Sequence, residues 1–142
     1  MTDKKVNNSG FDIGTLVGED ESTGQFMQLT HPVNGEPLLD GDNKEIGIYL
    51  LGKDSSVYRN AQRSVTNRRL NSKGSSTITA ERIEAEAIEI LAKCTVSWTG
   101  ILYKGEPLVC GPGAARKLYT EAPWVKEQVD EFIAERANHL GK

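Results

Sequence analysis

Aromatic residues are scarce in this chain, at 6%, and hydrophobic residues of all kinds reach only 37%. Both figures are lean for a globular domain, so part of the chain is expected to stay loose. Only two cysteines occur, Cys94 and Cys110. Neither sits in a CxxC or Cys/His spacing, which excludes the common zinc frameworks. No apolar run approaches a membrane span. The polar start MTDKKVNNSG lacks the apolar stretch of a signal peptide. Net charge is -3 and the pI is near 5.4. A mildly acidic chain does not present, as a whole, the field of a nucleic-acid or membrane-surface protein. A reducing cytoplasm with both thiols free is the simplest compartment.

Catalytic groups are equally sparse. His31 and His139 lie far apart in sequence, and His31 precedes Pro32 in a turn. Cys94 falls on an apolar helical face with nothing nearby to lower its pKa, and Cys110 has no histidine partner in motif spacing. Glu81, Glu84, Glu86 and Glu89 point in several directions around one helix and read as a solvated face. Gly111-Pro112-Gly113 lacks the Lys-Ser/Thr of a phosphate loop. No triad, metal set or nucleotide fingerprint is present. The expectation is a protein that works by binding, with no catalytic residue, no cofactor and no metal.

The 142 residues suffice for one domain or one and a half, with a core that needs no staples. Residues 1–10 read as disordered. Phe11–Val17 reads as a short strand, and Gly18–Gly24 as a charged loop. Gln25–Thr30 and Glu45–Leu51 have strand composition, with turns at Asn34-Gly35 and at Asp40–Asn43. A hairpin or small meander is therefore expected over 11–51. Asp54 or Ser55 can cap a helix running to about Leu70, with a thin apolar stripe of Val57, Ala61, Val65 and Leu70. A flexible linker follows near 71–77.

Thr79 caps the clearest helix of the chain. Its apolar residues Ile83, Ala87, Ile90, Leu91 and Cys94 share one face. The segment 96–101 is expected to end that helix in a turn, and 101–112 to run as an extended loop. Ala114–Tyr119 suggests a short helix. Pro123 opens a last helix with Trp124, Val125, Val129, Phe132, Ile133, Ala137 and Leu140 on its buried side and Gly141 as its stop. Gly35-Glu36-Pro37-Leu38 recurs as Gly105-Glu106-Pro107-Leu108, which reads as two similar turns feeding short strands. The fold class is α+β: a β-hairpin region at 11–51, then a helical portion at 52–142.

Charge is unevenly spread. Lys53, Arg59, Arg63, Arg68, Arg69 and Lys73 face a single acid, Asp54, within 53–73. Such a helix could contact phosphates. It lacks interleaved aromatics beyond Tyr58 and any helix-turn-helix spacing, so a solvated face or pairing with the acidic helices is the simpler reading. Trp98 and Trp124 each sit at a helix boundary, where an indole seals a junction while its N–H finds a partner. As partner-binding candidates the sequence offers Arg59, Arg63, Arg68 and Arg69 for a polar surface, and Trp98, Trp124 and Phe132 for an apolar one.

The stretch VSWTGILYKGEPL, then AARKLY, then PWVKEQVDEFI resembles the tail assembly chaperones of long-tailed, siphovirus-type bacteriophages. The matching positions are Trp98, Gly100, Gly105, Ala115, Leu118, Pro123, Trp124 and Val129. HPVNGEPL followed by IYLLGKDS and YRNAQR is similar to the start of one subgroup, with Gly52, Asp54 and Ser55 at its helix start. The resemblance spans roughly residues 25–140. It implies a protein of the host cell cytoplasm that binds the tape measure protein and keeps it soluble while the tail tube forms. It also implies a frameshifted longer form that recruits the tail tube protein. A homo-oligomer is a further expectation, since lean-cored helices often complete their cores by association. The alternatives are a structural tail component retained in the virion and a small nucleic-acid-binding regulator using the helix at 55–70.

Overall fold

The structure is a computed structural model and describes residues 9–17, 21–72 and 78–140. Residues 1–8 of the expected disordered start, 18–20 of the charged loop, 73–77 of the linker and the helix stop at Gly141 lie outside the described residues. An α+β fold is present. Three antiparallel strands, β1 (Gln25–Gln28), β2 (Gly47–Leu50) and β3 (Thr95–Thr99), form a sheet in the order β1-β2-β3. Among the described residues four α-helices follow or interleave: α1 (Ser56–Asn71), α2 (Ala80–Lys93), α3 (Pro112–Glu121) and α4 (Pro123–Ala134).

β2 is the middle strand because all of it but Tyr49, which is half-buried, can be buried. Ile48 and Leu50 are fully inaccessible, and Met27 sits opposite Ile48 on β1. Gly47 starts the strand for a steric reason: a Cβ there would run into the Met27 carbonyl and the Phe26 ring. On its other side β2 pairs with β3, Ile48 against Trp98 and Tyr49 against Ser97, and Leu51 N–H extends the ladder to Cys94 O at 2.9 Å. The expected turn at 96–101 is thus a strand up to Thr99. The alternation Val96, Trp98 against Thr95, Ser97, Thr99 satisfies a half-buried strand. Its partner lies about a third of the chain away in sequence, beyond the reach of any local signal.

Between β1 and β2 the chain makes two small excursions. Thr30 bridges Pro37 across the His31–Gly35 turn, where Gly35 takes φ 74°. Leu39 bridges Glu45 across a loop held by the Asp40 carboxylate, which accepts from the N–H groups of Asp42 and Lys44 at 2.8 and 3.0 Å. The extended loop expected at 101–112 contains a ribbon, β4 (Leu102–Tyr103) with β5 (Glu106–Pro107). Lys104 and Gly105 both have positive φ, the geometry of a two-residue hairpin turn. The two Gly-Glu-Pro-Leu copies therefore each close a turn and feed a short β-pairing.

Helix boundaries follow their caps. The buried Ser55 Oγ accepts from Tyr58 N–H at 3.1 Å and donates to Gly52 O at 2.7 Å. Thr79 Oγ1 accepts from Arg82 N–H at 3.1 Å. Three apolar assignments need correction. Leu70 is 77% exposed and lies off the α1 stripe, of which Ala61 and Val65 are buried. Ile83 is half exposed; of the expected α2 face Leu91 and Cys94 are buried, and Ile88, Ala92 and Glu86 are buried beside them. The last helix ends at Ala134 rather than near 140, because Glu135 turns extended; Ala137 is exposed on a 3-10 turn at Arg136–Asn138. Phe11–Val17 is not a strand either: Ile13–Leu16 form one 3-10 turn capped by Asp12, with no buried residue.

One core joins all of this. Leu29, Ile48 and Leu50 from the sheet region, Leu91 and Cys94 from α2 and β3's approach, Leu118 and Tyr119 from α3, and Val129 and Ile133 from α4 belong to a single cluster. Tyr119 is buried, yet its hydroxyl donates to Thr95 Oγ1 at 2.6 Å, which in turn donates to Leu91 O. Burial pushes that phenol far above its ordinary value. His139, which the sequence left without a role, is buried as a plug. Its Nε2 lies 3.1 Å from Phe132 O, and a Cβ on Gly52 would come within 2.6 Å of its ring.

Two glycines separate steric need from backbone need. Gly47→Ala should cost about 3 kcal/mol, the upper end for overpacking, because backbone must shift. Gly35→Ala has open space and should cost only about 1 kcal/mol for its left-handed φ. Equal losses in urea denaturation would contradict the tight β1–β2 register.

Candidate partner-binding groove

The 29–46 excursions, the β3–β4 link and the α3–α4 junction surround an open groove of about 270 Å³. Leu29, Leu38 and Ile46 form one wall. Gly100, Ile101, Leu102 and Tyr103 form the facing wall. Leu118, Ala122, Trp124 and Val125 close the helical side. The lining is apolar apart from the Tyr103 hydroxyl and the Trp124 indole N–H.

Each wall is held by specific contacts. Gln128 of α4 behaves like a strand partner for Thr30, accepting from its N–H at 3.1 Å and donating to its carbonyl at 2.9 Å. Gln28 Nε2 donates to Leu38 O at 2.9 Å. Gly100, at φ 74°, brings the facing wall close: its Cβ would meet Ile46 Cγ1 at 3.0 Å. Behind that wall the Trp98 indole N–H donates to Leu108 O at 2.7 Å, and Leu108 N–H donates to Ile101 O at 3.0 Å. The groove is therefore preformed rather than collapsed, and Leu102 remains 61% exposed on its lip.

The Tyr103 lip carries two lysines and one carboxylate. Lys117 Nζ lies 4.7 Å and Lys104 Nζ 5.4 Å from the Tyr103 ring centroid, within cation–π range. The Tyr103 hydroxyl donates to Glu121 at 2.7 Å, and that bond to a carboxylate holds its pKa above the ordinary value. Tyr103 thus stays neutral and positions both lysines beside an apolar floor.

The sequence-derived candidates divide. Trp124 lines the groove, and Trp98 braces it from behind. Phe132 does neither; it meets His139 edge-on at 5.3 Å beside a separate shallow depression bounded by Met27, Gln128 and Glu131. The arginines also part company. Arg68 pairs with Glu89 at 2.8 Å, and Arg69 forks onto Glu86, which Arg82 also reaches at 3.2 Å. Arg59 and Arg63 are exposed, with Arg63 donating to Asn60. The glutamates are not a uniform solvated face, since Glu86 is 8% exposed. Its carboxyl is held below the ordinary value, first by the Arg69 hydrogen bond and then by Arg82.

Sequence reasoning missed Leu38, Ile46, Ile101, Leu102 and Tyr103 as site residues. The repeat of Gly-Glu-Pro-Leu was the available signal, because its two copies end the two short β-pairings that flank the groove. Elsewhere, Cys94 is buried, and burial pushes the Cys110 thiol up, away from thiolate chemistry. Among the described residues no group of three or more His, Cys, Asp or Glu is placed to hold a metal ion. No helix of the described residues is long and apolar enough to cross a membrane. No family model, curated protein or solved structure matches the chain.

The Arg69–Glu86 pair should report itself through pH. A carboxyl depressed in the folded state contributes stability above its unfolded pKa of about 4.3, and that contribution is lost as pH falls through the lower folded value. Arg69→Ala should therefore lower Tm clearly at pH 7, with the gap to the parent narrowing toward pH 3. A pH-independent gap would contradict the pairing.

Proposed function

We propose that the chain is a tail assembly chaperone that binds the tape measure protein in the host cell cytoplasm and keeps it soluble while the tail tube assembles. The observation that carries this reading is the open apolar groove, together with where its walls come from. Gly100, Leu118 and Trp124 line it and are three of the positions on which the resemblance rests. Trp98 braces it. A long helical client with apolar stripes needs such a seat, and a helix laid in a groove uses its i, i+3, i+4 and i+7 side chains. The chaperone acts by binding and needs no cofactor. Recruitment of the tail tube protein through a frameshifted longer form belongs to the same reading.

Retention in the finished tail as a structural component is the alternative, and finding the chain in purified virions would favour it. The regulator reading is weakened by the ion pairs: Arg68 and Arg69 are engaged with Glu89 and Glu86, which leaves Arg59 and Arg63 as the outward cations of α1. It also changes the choice of surface variants. Arg69→Glu would place a second carboxylate beside Glu86, so α1 is better probed at Arg59 and Arg63.

The test is co-expression with the tape measure protein encoded by the same genome. The parent chain should keep it soluble and co-purify with it. Leu102→Glu, on the exposed lip, should weaken capture about thirtyfold or more, the scale of a hot-spot loss, without lowering Tm. Arg59→Glu with Arg63→Glu should leave capture unchanged. Capture that survives Leu102→Glu but fails in the arginine variant would move the site from the groove to α1.

A further inference from the structure

The chain carries an exposed apolar segment as well as an exposed apolar groove. Phe11, Ile13, Leu16 and Val17 are 68%, 67%, 46% and 63% exposed. The 3-10 turn at Ile13–Leu16, which Phe11 and Val17 flank, is held locally among the described residues by Asp12: its carboxylate accepts from Gly14 N–H at 2.9 Å and its carbonyl from Thr15 N–H at 3.2 Å. Nothing in the core fixes this turn, since none of its residues is buried. Four large apolar side chains within seven residues form an uncovered strip of the kind that marks an interaction site.

Charge matches the strip to the groove. Between Lys5 and Lys44 the sequence has no lysine or arginine, and Asp12 sits within the strip itself. The groove's outer lip carries Lys104 and Lys117 around Tyr103, next to the exposed Leu102, with one carboxylate, Glu121, on the Tyr103 hydroxyl, so cations outnumber anions around that ring by two to one. An apolar segment that carries an acid and no base is thus complementary to an apolar groove whose lip carries an excess of lysine. None of residues 11–17 lines the groove of its own chain, and a second copy can supply the complement.

We infer that residues 11–17 of a second copy occupy the groove, so that two chains cap each other reciprocally when no client is bound. A two-fold pair of this kind uses the same two surfaces twice and closes without leaving a free groove. The inference rests on the groove being the client seat, and it makes self-association and client capture compete for one surface.

Sedimentation velocity of the full-length chain over a concentration series tests it, with Ile13→Asp and Leu102→Glu as variants. Both substituted side chains are exposed, so both variants should fold. The parent mass should rise from monomer to dimer with concentration. Each variant alone should stay monomeric at concentrations about tenfold above the parent midpoint. Mixed together they should pair, because one supplies an intact groove and the other an intact segment. A concentration-independent monomer for the parent, parent-like association of Ile13→Asp, or no pairing in the mixture would each overturn the inference. The client assay separates the two readings. A monomeric parent that still captures the tape measure protein through Leu102 sinks only the capping. A self-associating parent that captures none sinks only the client assignment.

Discussion

The pairing of β2 with β3 is the contact on which the rest depends. It joins residues 47–50 to residues 95–99 and makes one body of the two halves of the chain. Ile48 and Leu50 can be fully buried only because β1 covers one edge of their strand and β3 the other, with α2, α3 and α4 contributing to the same core. The groove is a by-product of that closure. Once β3 is fixed against β2, Gly100 and Ile101 arrive opposite Ile46, and the β4–β5 ribbon becomes a lip rather than a loop. Gln128 then ties the other wall to α4 through Thr30.

Electrostatics does separate work on the two sides of the molecule. Between α1 and α2, carboxylates and guanidinium groups neutralise one another: Glu86 lies between Arg69 and Arg82, and Glu89 between Arg68 and Lys93. A helix with so thin an apolar stripe, Ala61 and Val65, gains orientation from these pairs that burial alone would not give. Near the C-terminal end, Asp54 and Arg136 fasten the start of α1 to the turn after α4, and Arg136 holds the Asp54 carboxyl below its ordinary value. On the groove side the lysines stay outward over Tyr103 and remain available to a partner.

Local signals in the sequence were legible where local physics decides. The Ser55 and Thr79 caps, Pro123 at the start of α4, the Asn34-Gly35 turn and the alternation of β2 all read correctly, since each is settled within a few residues, whereas Pro112, read as the end of a loop, in fact opens α3. Three features were not legible. β3 was taken for a turn because its partner strand is distant. Ile83 and Leu70 were placed in the core because periodicity identifies an apolar face but not whether a neighbour reaches that turn of the helix. Glu86 and His139 were passed over because burial of a polar group depends on partners, Arg69 for one and Phe132 O for the other, that only the fold brings near. For the site, Trp124 was found and Trp98 was found for its bracing N–H, whereas the aliphatic lining belongs to short loops that carry no period.

The central claim is that client recognition occurs in the groove and not on the basic helix. Hydrogen exchange of the chain, free and bound to the tape measure protein, measures this directly. The account predicts slowed exchange on binding across Gly100–Tyr103 and Leu118–Val125, with Arg59–Leu70 unchanged. Slowed exchange along Arg59–Leu70, with the groove segments unchanged, would contradict it.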